Sequence, residues 1–188
     1  MWGIIMYKNS NTVIANEKID HDKIAWARKI ILELYNELPD YIKKGCGPFL
    51  AAIYDGNGRL IAKSANTVIH DKCSNNHAEI NTIRMAEKAL KNHDLSSQNA
   101  SLFVTAEPCM MCLGGIMWSG IKNVYFGVTS NDVENITGFD EGIKPNWMSE
   151  FKKRGINVYG SIEPEIGKSI LQNYVSQQHV IYKPKRNG

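Results

Sequence analysis

"HAEINTIRMAEKAL", His77 to Leu90, and "EPCMMC", Glu107 to Cys112, decide the fold and the chemistry together. In the first, apolar residues recur at helical spacing behind a histidine and a glutamate two positions apart, so the spacing predicts a helix over 77–91. In the second, a proline precedes two cysteines three apart, and the apolar run that follows predicts another helix from about 109 to 118. Cysteines at i and i+3 share a helix face, and a helix N-terminus favours their thiolate form. Proline is tolerated in a first helical turn, where its missing N–H would have no partner. His77, Cys109 and Cys112 are therefore the candidate metal ligands.

Three protein ligands around a tetrahedral ion leave one position for solvent, which marks a catalytic rather than a closed structural site. One neutral imidazole and two thiolates balance one Zn2+ per chain, on which water falls from a pKa of about 15.7 toward about 7. Glu79 lies roughly 200° around a helix from His77, so it does not share the ion; from the first turn it reaches the bound water and is the catalytic proton carrier. Either half alone is a weak signal, since CxxC also serves redox pairs and half of structural zinc sites. Cys46 or Cys73 could complete a four-ligand structural site, but both are read as ordinary thiols.

Outward from these stretches, Ile24, Ala27, Ile31, Leu34 and Leu38 recur at helical spacing after Asp20 and Asp22, two candidate caps, and Pro39 is expected to end the run. Asp55-Gly56-Asn57-Gly58 joins two apolar runs, Pro48 to Tyr54 and Arg59 to Ser64, as a hairpin. Gly3 to Ala15 reads as a short extended segment turning at Asn9–Asn11. Beyond the second cysteine the chain alternates: strands at Leu102–Thr105, Asn123–Phe126 and Asn157–Tyr159, helices at Trp147–Arg154 and from about Pro164 to Gln178. Such alternation after a hairpin implies an α/β fold, a mixed five-stranded sheet covered by helices on both faces. The loop from Thr129 to Pro145 is the longest irregular stretch near the motifs, and long loops in compact domains are often functional.

The bulk numbers allow one domain: 188 residues, 43% hydrophobic and 22% charged. We expect an arm over 1–19 and a single domain over 20–188 that includes the C-terminal helix and tail. The longest apolar run, Cys109 to Trp118, is about half of the roughly 20 residues a bilayer requires. With no basic leader ahead of an apolar core, a cytoplasmic location is expected. A net charge of +3, part of it in Lys183, Lys185 and Arg186, does not demand a nucleic-acid partner.

GPFLAAI, HAEINTIR and EPCMMCLGGIMWSGI, spread over roughly 45 to 160, resemble the cytidine deaminase superfamily, and within it the guanine deaminase type. The resemblance implies a three-layer α/β/α domain, hydrolytic loss of ammonia from a purine or pyrimidine ring, and commonly a homodimer. It implies zinc on His77, Cys109 and Cys112, Glu79 as the shuttle, Asn66 bonded to the substrate ring, and the Ala78 N–H beside the nascent oxyanion.

Substrate choice turns on Trp118 and on GFDEG, Gly138 to Gly142. Guanine presents N1–H and its 2-amino group as adjacent donors that one carboxylate can accept together, so Asp140 is the candidate guanine reader. Phe49 and Trp118 are the candidate stacking faces. Conversion of guanine to xanthine is the leading expectation; a tRNA-specific adenosine deaminase, a cytosine or cytidine deaminase, and a zinc-stabilised interaction domain without catalysis are the alternatives. The chain departs from the family pattern at Asn75-Asn76, where relatives usually carry Thr-Ala. Enzymes of this type can exchange C-terminal segments and place an aromatic in the partner's pocket, and Tyr182 is the candidate.

Overall fold

Two neighbouring strands carry no exposed residue at all: β4 (Ser101–Ala106) and β5 (Asn123–Val128) are buried from end to end. Strands covered on both faces read as continuous apolar runs rather than alternating ones, and helices must supply the cover. The computed structural model describes residues 14–18 and 20–182. All but the last two residues of the Gly3–Ala15 segment, with its turn at Asn9–Asn11, lie outside that range, as do Lys183, Lys185 and Arg186.

The sheet also contains β1 (Ile14–Ala15), β2 (Leu50–Tyr54), β3 (Leu60–Ala65) and β6 (Asn157–Gly160), in the order β1-β6-β5-β4-β2-β3. β4, β5 and β6 run parallel, and the remaining neighbours pair antiparallel. The sheet is mixed, as expected, but has six strands rather than five. The extra strand is the two-residue β1, the end of the segment expected to be extended but too short to show by its period that it joins the sheet. Asn16 locks it in place: its buried amide donates to the Ile156 carbonyl at 3.0 Å and accepts the Val158 N–H at 2.9 Å.

One face is covered by α1 (His21–Lys43), where Ile31, Leu34 and Leu38 pack on Leu50, Phe103, Tyr125 and Tyr159. The last three rings stack across successive strands, with centroids 4.7 and 5.1 Å apart. Asp20 caps α1 as expected, accepting the Asp22 and Lys23 N–H groups. Pro39 does not end it; the helix runs one turn further. The apolar contacts of Leu38, Tyr41 and Ile42 with this core outweigh the one backbone bond that proline forgoes.

The other face is covered by α3 (Ala78–Leu90) and α4 (Met110–Ser119), whose Ile83, Ala86 and Ile116 pack on Ala51, Ile53, Val104 and Phe126. The result is the three-layer α/β/α arrangement. A one-turn α2 (Val68–Asp71) follows the hairpin. The expected irregular stretch from Thr129 is in its first half a helix, α5 (Ser130–Thr137). A capping box between Thr129 and Asp132 starts it, leaving 138–146 as the irregular part. α6 (Trp147–Lys153) and α7 (Pro164–Ser176) complete the chain. No helix among the described residues is long and apolar enough to cross a membrane.

Candidate active site

Two helix starts meet beyond the C-terminal end of β4. His77 is the N-cap of α3 and Cys109 the N-cap of α4; both have extended backbone, and neither side chain bonds its own helix end. The two side chains therefore project from the helix mouths into shared space. Cys109 thus precedes the first turn rather than lying in it, and Pro108 stands before the cap; Cys112, fully buried, comes from the first turn itself.

His77 Nδ1 lies 3.4 Å from Cys109 Sγ and 3.7 Å from Cys112 Sγ, and the sulfurs are 3.6 Å apart. Ligand bonds of about 2.3 Å to sulfur and about 2.0 Å to nitrogen, spread tetrahedrally, require donor separations of about 3.5–3.8 Å. The donor triangle fits a single tetrahedral ion. Among the described residues these three form a group able to hold a metal, and neither Cys46 nor Cys73 belongs to it. The contact with Cys112 lowers the Cys109 thiol to about 4, while the same contact pushes Cys112 up.

Glu79, the second residue of α3, is 6% exposed and lines the same pocket as His77 and Cys109. Burial, and then the Cys109 charge, raise its carboxyl to about 7. Ala78, ahead of it, is fully buried at the first helical position, where backbone N–H groups have no partner within the helix.

A pocket of about 420 Å3 opens in front of these groups, within the usual range for small-molecule sites. Phe49 and Phe139 form an apolar wall, their rings edge-on at 5.6 Å. Asn66 is 1% exposed; its Oδ1 accepts the Val68 N–H, and its Nδ2 donates to the Tyr182 hydroxyl at 2.9 Å. Tyr182 also contacts His77 Nε2 at 3.3 Å. Its ring enters the pocket of its own chain. Lys72, Cys73 and Ser74 line the outer part.

Asp140 lines the pocket but is exposed, with one carboxylate oxygen accepting the Gly142 N–H. The buried acid of the loop is its neighbour Glu141, pushed up to about 8 by burial and then by Cys109. Sequence reasoning missed Glu141. The two acids are adjacent, and only long-range contacts decide which one turns inward. Trp118 requires a correction: it is 82% exposed and lines a separate hollow with Met117, Ile121, Lys122 and Arg154, so within one chain it is not a wall of this pocket. α4 is apolar on every side, and a helix without a polar face gives no periodic sign of which side is buried.

Residues 21–178 match the family model described as MafB19-like deaminase. Guanine deaminase of Bacillus subtilis (strain 168) is 37% identical over 95 residues, covering 50% of this chain and 58% of the relative. The tRNA-specific adenosine deaminase of Buchnera aphidicola subsp. Schizaphis graminum is 39% identical over 85 residues, covering 45% of this chain and 55% of the relative. The chain thus spans little more than half the length of these two curated relatives. Among solved structures, the guanine deaminase from Nitrosomonas europaea superposes with a TM-score of 0.75 at 36% identity, over 78% of this chain and 82% of that one. A solved complex with 2,6-diaminopurine superposes with a TM-score of 0.78 at 36% identity, over 84% and 85% of the two chains.

Proposed function

The chain belongs to the MafB19-like deaminase family, and on that premise we propose that it is a zinc-dependent hydrolytic deaminase of a purine base, guanine before others. The observation that carries this reading is Glu79, buried against a three-donor metal group inside a pocket with an aromatic wall. Bound there, a zinc ion supplies a Lewis acid that makes water acidic enough to be a nucleophile near neutral pH.

The chain's own residues do the rest. Glu79 takes a proton from the attacking water and delivers it to the ring nitrogen beside the amino-bearing carbon. It takes the second water proton and delivers it to the departing amine. Ammonia leaves, the ring carbon becomes a carbonyl, and the carboxylate returns to its starting state. Phe49 and Phe139 cover the faces of the base and keep water from them. Asn66 donates its amide N–H to a ring acceptor, giving up Tyr182 to do so. The Ala78 N–H supports charge that develops on the attacked carbon's oxygen.

Guanine is favoured because its N1–H and 2-amino donors suit a carboxylate, and the 138–142 loop brings two, Asp140 and Glu141, to the pocket lining. The guanine deaminase likeness at 36% identity and the 2,6-diaminopurine complex of a similar protein support a purine carrying a 2-amino group. Self-association is part of the proposal. Trp118 at 82%, Ile143 at 79% and Met110 at 52% exposure leave large apolar side chains uncovered on α4 and the adjoining loop.

The test is an ammonia-release panel on zinc-loaded protein with guanine, guanosine, cytosine, cytidine, adenine and an adenosine-containing anticodon stem-loop. Guanine turnover that Glu79→Gln abolishes, with zinc retained, supports the reading. Release from the stem-loop alone overturns the substrate assignment, and release from none overturns the activity.

A further inference from the structure

The sequence motif around the cysteines contains one charged residue that the proposed chemistry leaves without work: Glu107. It is largely buried and paired with Lys144, 2.9 Å away, and the side chains are 13% and 7% exposed. A buried ammonium is costly unless each of its hydrogens meets an acceptor. Here they do. Lys144 Nζ donates to the Glu107 carboxylate, to the Pro108 carbonyl at 3.1 Å and to the Ser130 hydroxyl. The second Glu107 oxygen accepts the Ser130 backbone N–H at 3.0 Å. Three segments meet in this network: the entry to α4, the start of α5, and the loop between α5 and α6.

That loop carries Asp140 and Glu141 to the pocket. Its outgoing limb is held at Glu141, whose N–H donates to Glu134 at 3.2 Å and whose carbonyl accepts the Met110 N–H, also at 3.2 Å. Within one chain its returning limb has no apolar anchor: Ile143 is 79% exposed, and Gly142 has a left-handed backbone at φ 77°. Lys144 is what ties that limb down. Resting on the reading of the pocket as a purine deaminase site, we propose that Lys144 is a positioning residue, latching the 138–146 loop to the entry of α4 so that Glu141 faces the base. A fully satisfied buried network has one geometry, which a positioning device needs. The latch grips the backbone of Pro108, immediately before the ligand Cys109, so the loop and the metal group share one frame.

The experiment compares zinc-loaded wild type with Lys144→Met, Glu141→Gln and the double variant, measuring kcat and KM for guanine alongside amide hydrogen exchange of the 138–146 segment. Lys144→Met is expected to keep one equivalent of zinc. It should speed exchange of this segment at least tenfold while leaving α3 unchanged, and lower kcat/KM at least tenfold, mainly through KM. Because Lys144 acts through Glu141, the double variant should lose no more than the worse single variant. Independent losses that multiply, or unchanged exchange in 138–146, overturn the proposal. If Lys144→Met yields no folded protein, Ser130→Ala, which removes one acceptor, must accelerate exchange in the same segment, and failure to do so overturns it equally. The exchange readout needs no turnover. A wild type inactive on every base would sink the deaminase reading while the latch is still judged on its own.

Discussion

The metal triangle depends on how closely α4 crosses α3, because the two helices deliver its corners separately. Two adjacent glycines of α4 test that dependence. Alanine gains about 0.8–1.0 kcal/mol of helix propensity over glycine in a helix interior, and Gly114 and Gly115 both lie within Met110–Ser119. What a methyl would meet differs sharply. At Gly114 nothing lies within 4 Å, whereas at Gly115 the added carbon would stand 2.6 Å from Ile80 Cδ1 on α3. Ile80 is half-buried and that methyl is the far end of its side chain, so rotation relieves part of the clash. Overpacking of this kind costs about 1–3 kcal/mol. Gly114→Ala should therefore stabilise by about 1 kcal/mol, and Gly115→Ala should range from near neutral to about 2 kcal/mol destabilising. At about 2–4 °C per kcal/mol for a chain of this size, the two melting temperatures should differ by roughly 2–12 °C. The assay is thermal unfolding of the two variants together with zinc titration against a chromophoric chelator. Only Gly115→Ala should bind zinc more weakly. Equal melting temperatures and equal zinc affinities would refute the claim that this crossing sets the donor triangle.

Cys112→Ala removes a fully buried member of the candidate metal group, and metal analysis after dialysis should find the variant without zinc while circular dichroism still finds its helices. Burial pushes the Tyr35 and Tyr125 hydroxyls above the ordinary 10.0. The folded state then keeps protons that the unfolded state releases, so this contribution is complete below pH 10 and lost as pH rises past it. Urea midpoints measured from about pH 9 to 11 should fall, and a flat profile would contradict the assignment. If α4 supports self-association, light scattering should find Trp118→Ser shifted toward monomer at concentrations where the wild type is paired; an unchanged mass would place the contact elsewhere.

The candidate metal donors and the candidate substrate contacts were not equally legible in the sequence, and the difference is physical. His77 and Cys109 are helix caps, and Cys112 lies in the first turn that follows. Their placement follows from where two helices begin, which apolar spacing and a proline signal locally. The hairpin was legible for the same reason, since four turn residues set its reversal. Pro39 misled because propensity is local while the packing of Tyr41 and Ile42 that overrides it is not. β1 falls at the end of the segment read as extended, but its pairing with the sheet was not legible because two residues carry no period; its anchor, Asn16, bonds to residues far along the chain.

The same argument separates Asp140 from Glu141. In a stretch without helix or strand, neighbouring side chains have no fixed relation to the core, and the inward one is chosen by whatever holds the backbone. Here Glu134, the Met110 N–H and Lys144 hold it, and Lys144 bonds to a carbonyl 36 positions earlier. Chemistry carried on helix caps is therefore readable from a single sequence, whereas specificity carried on a tethered loop is not. A change of substrate within this scaffold should accordingly come from substitutions in 138–146 and at its anchors, with His77, Glu79, Cys109 and Cys112 left in place.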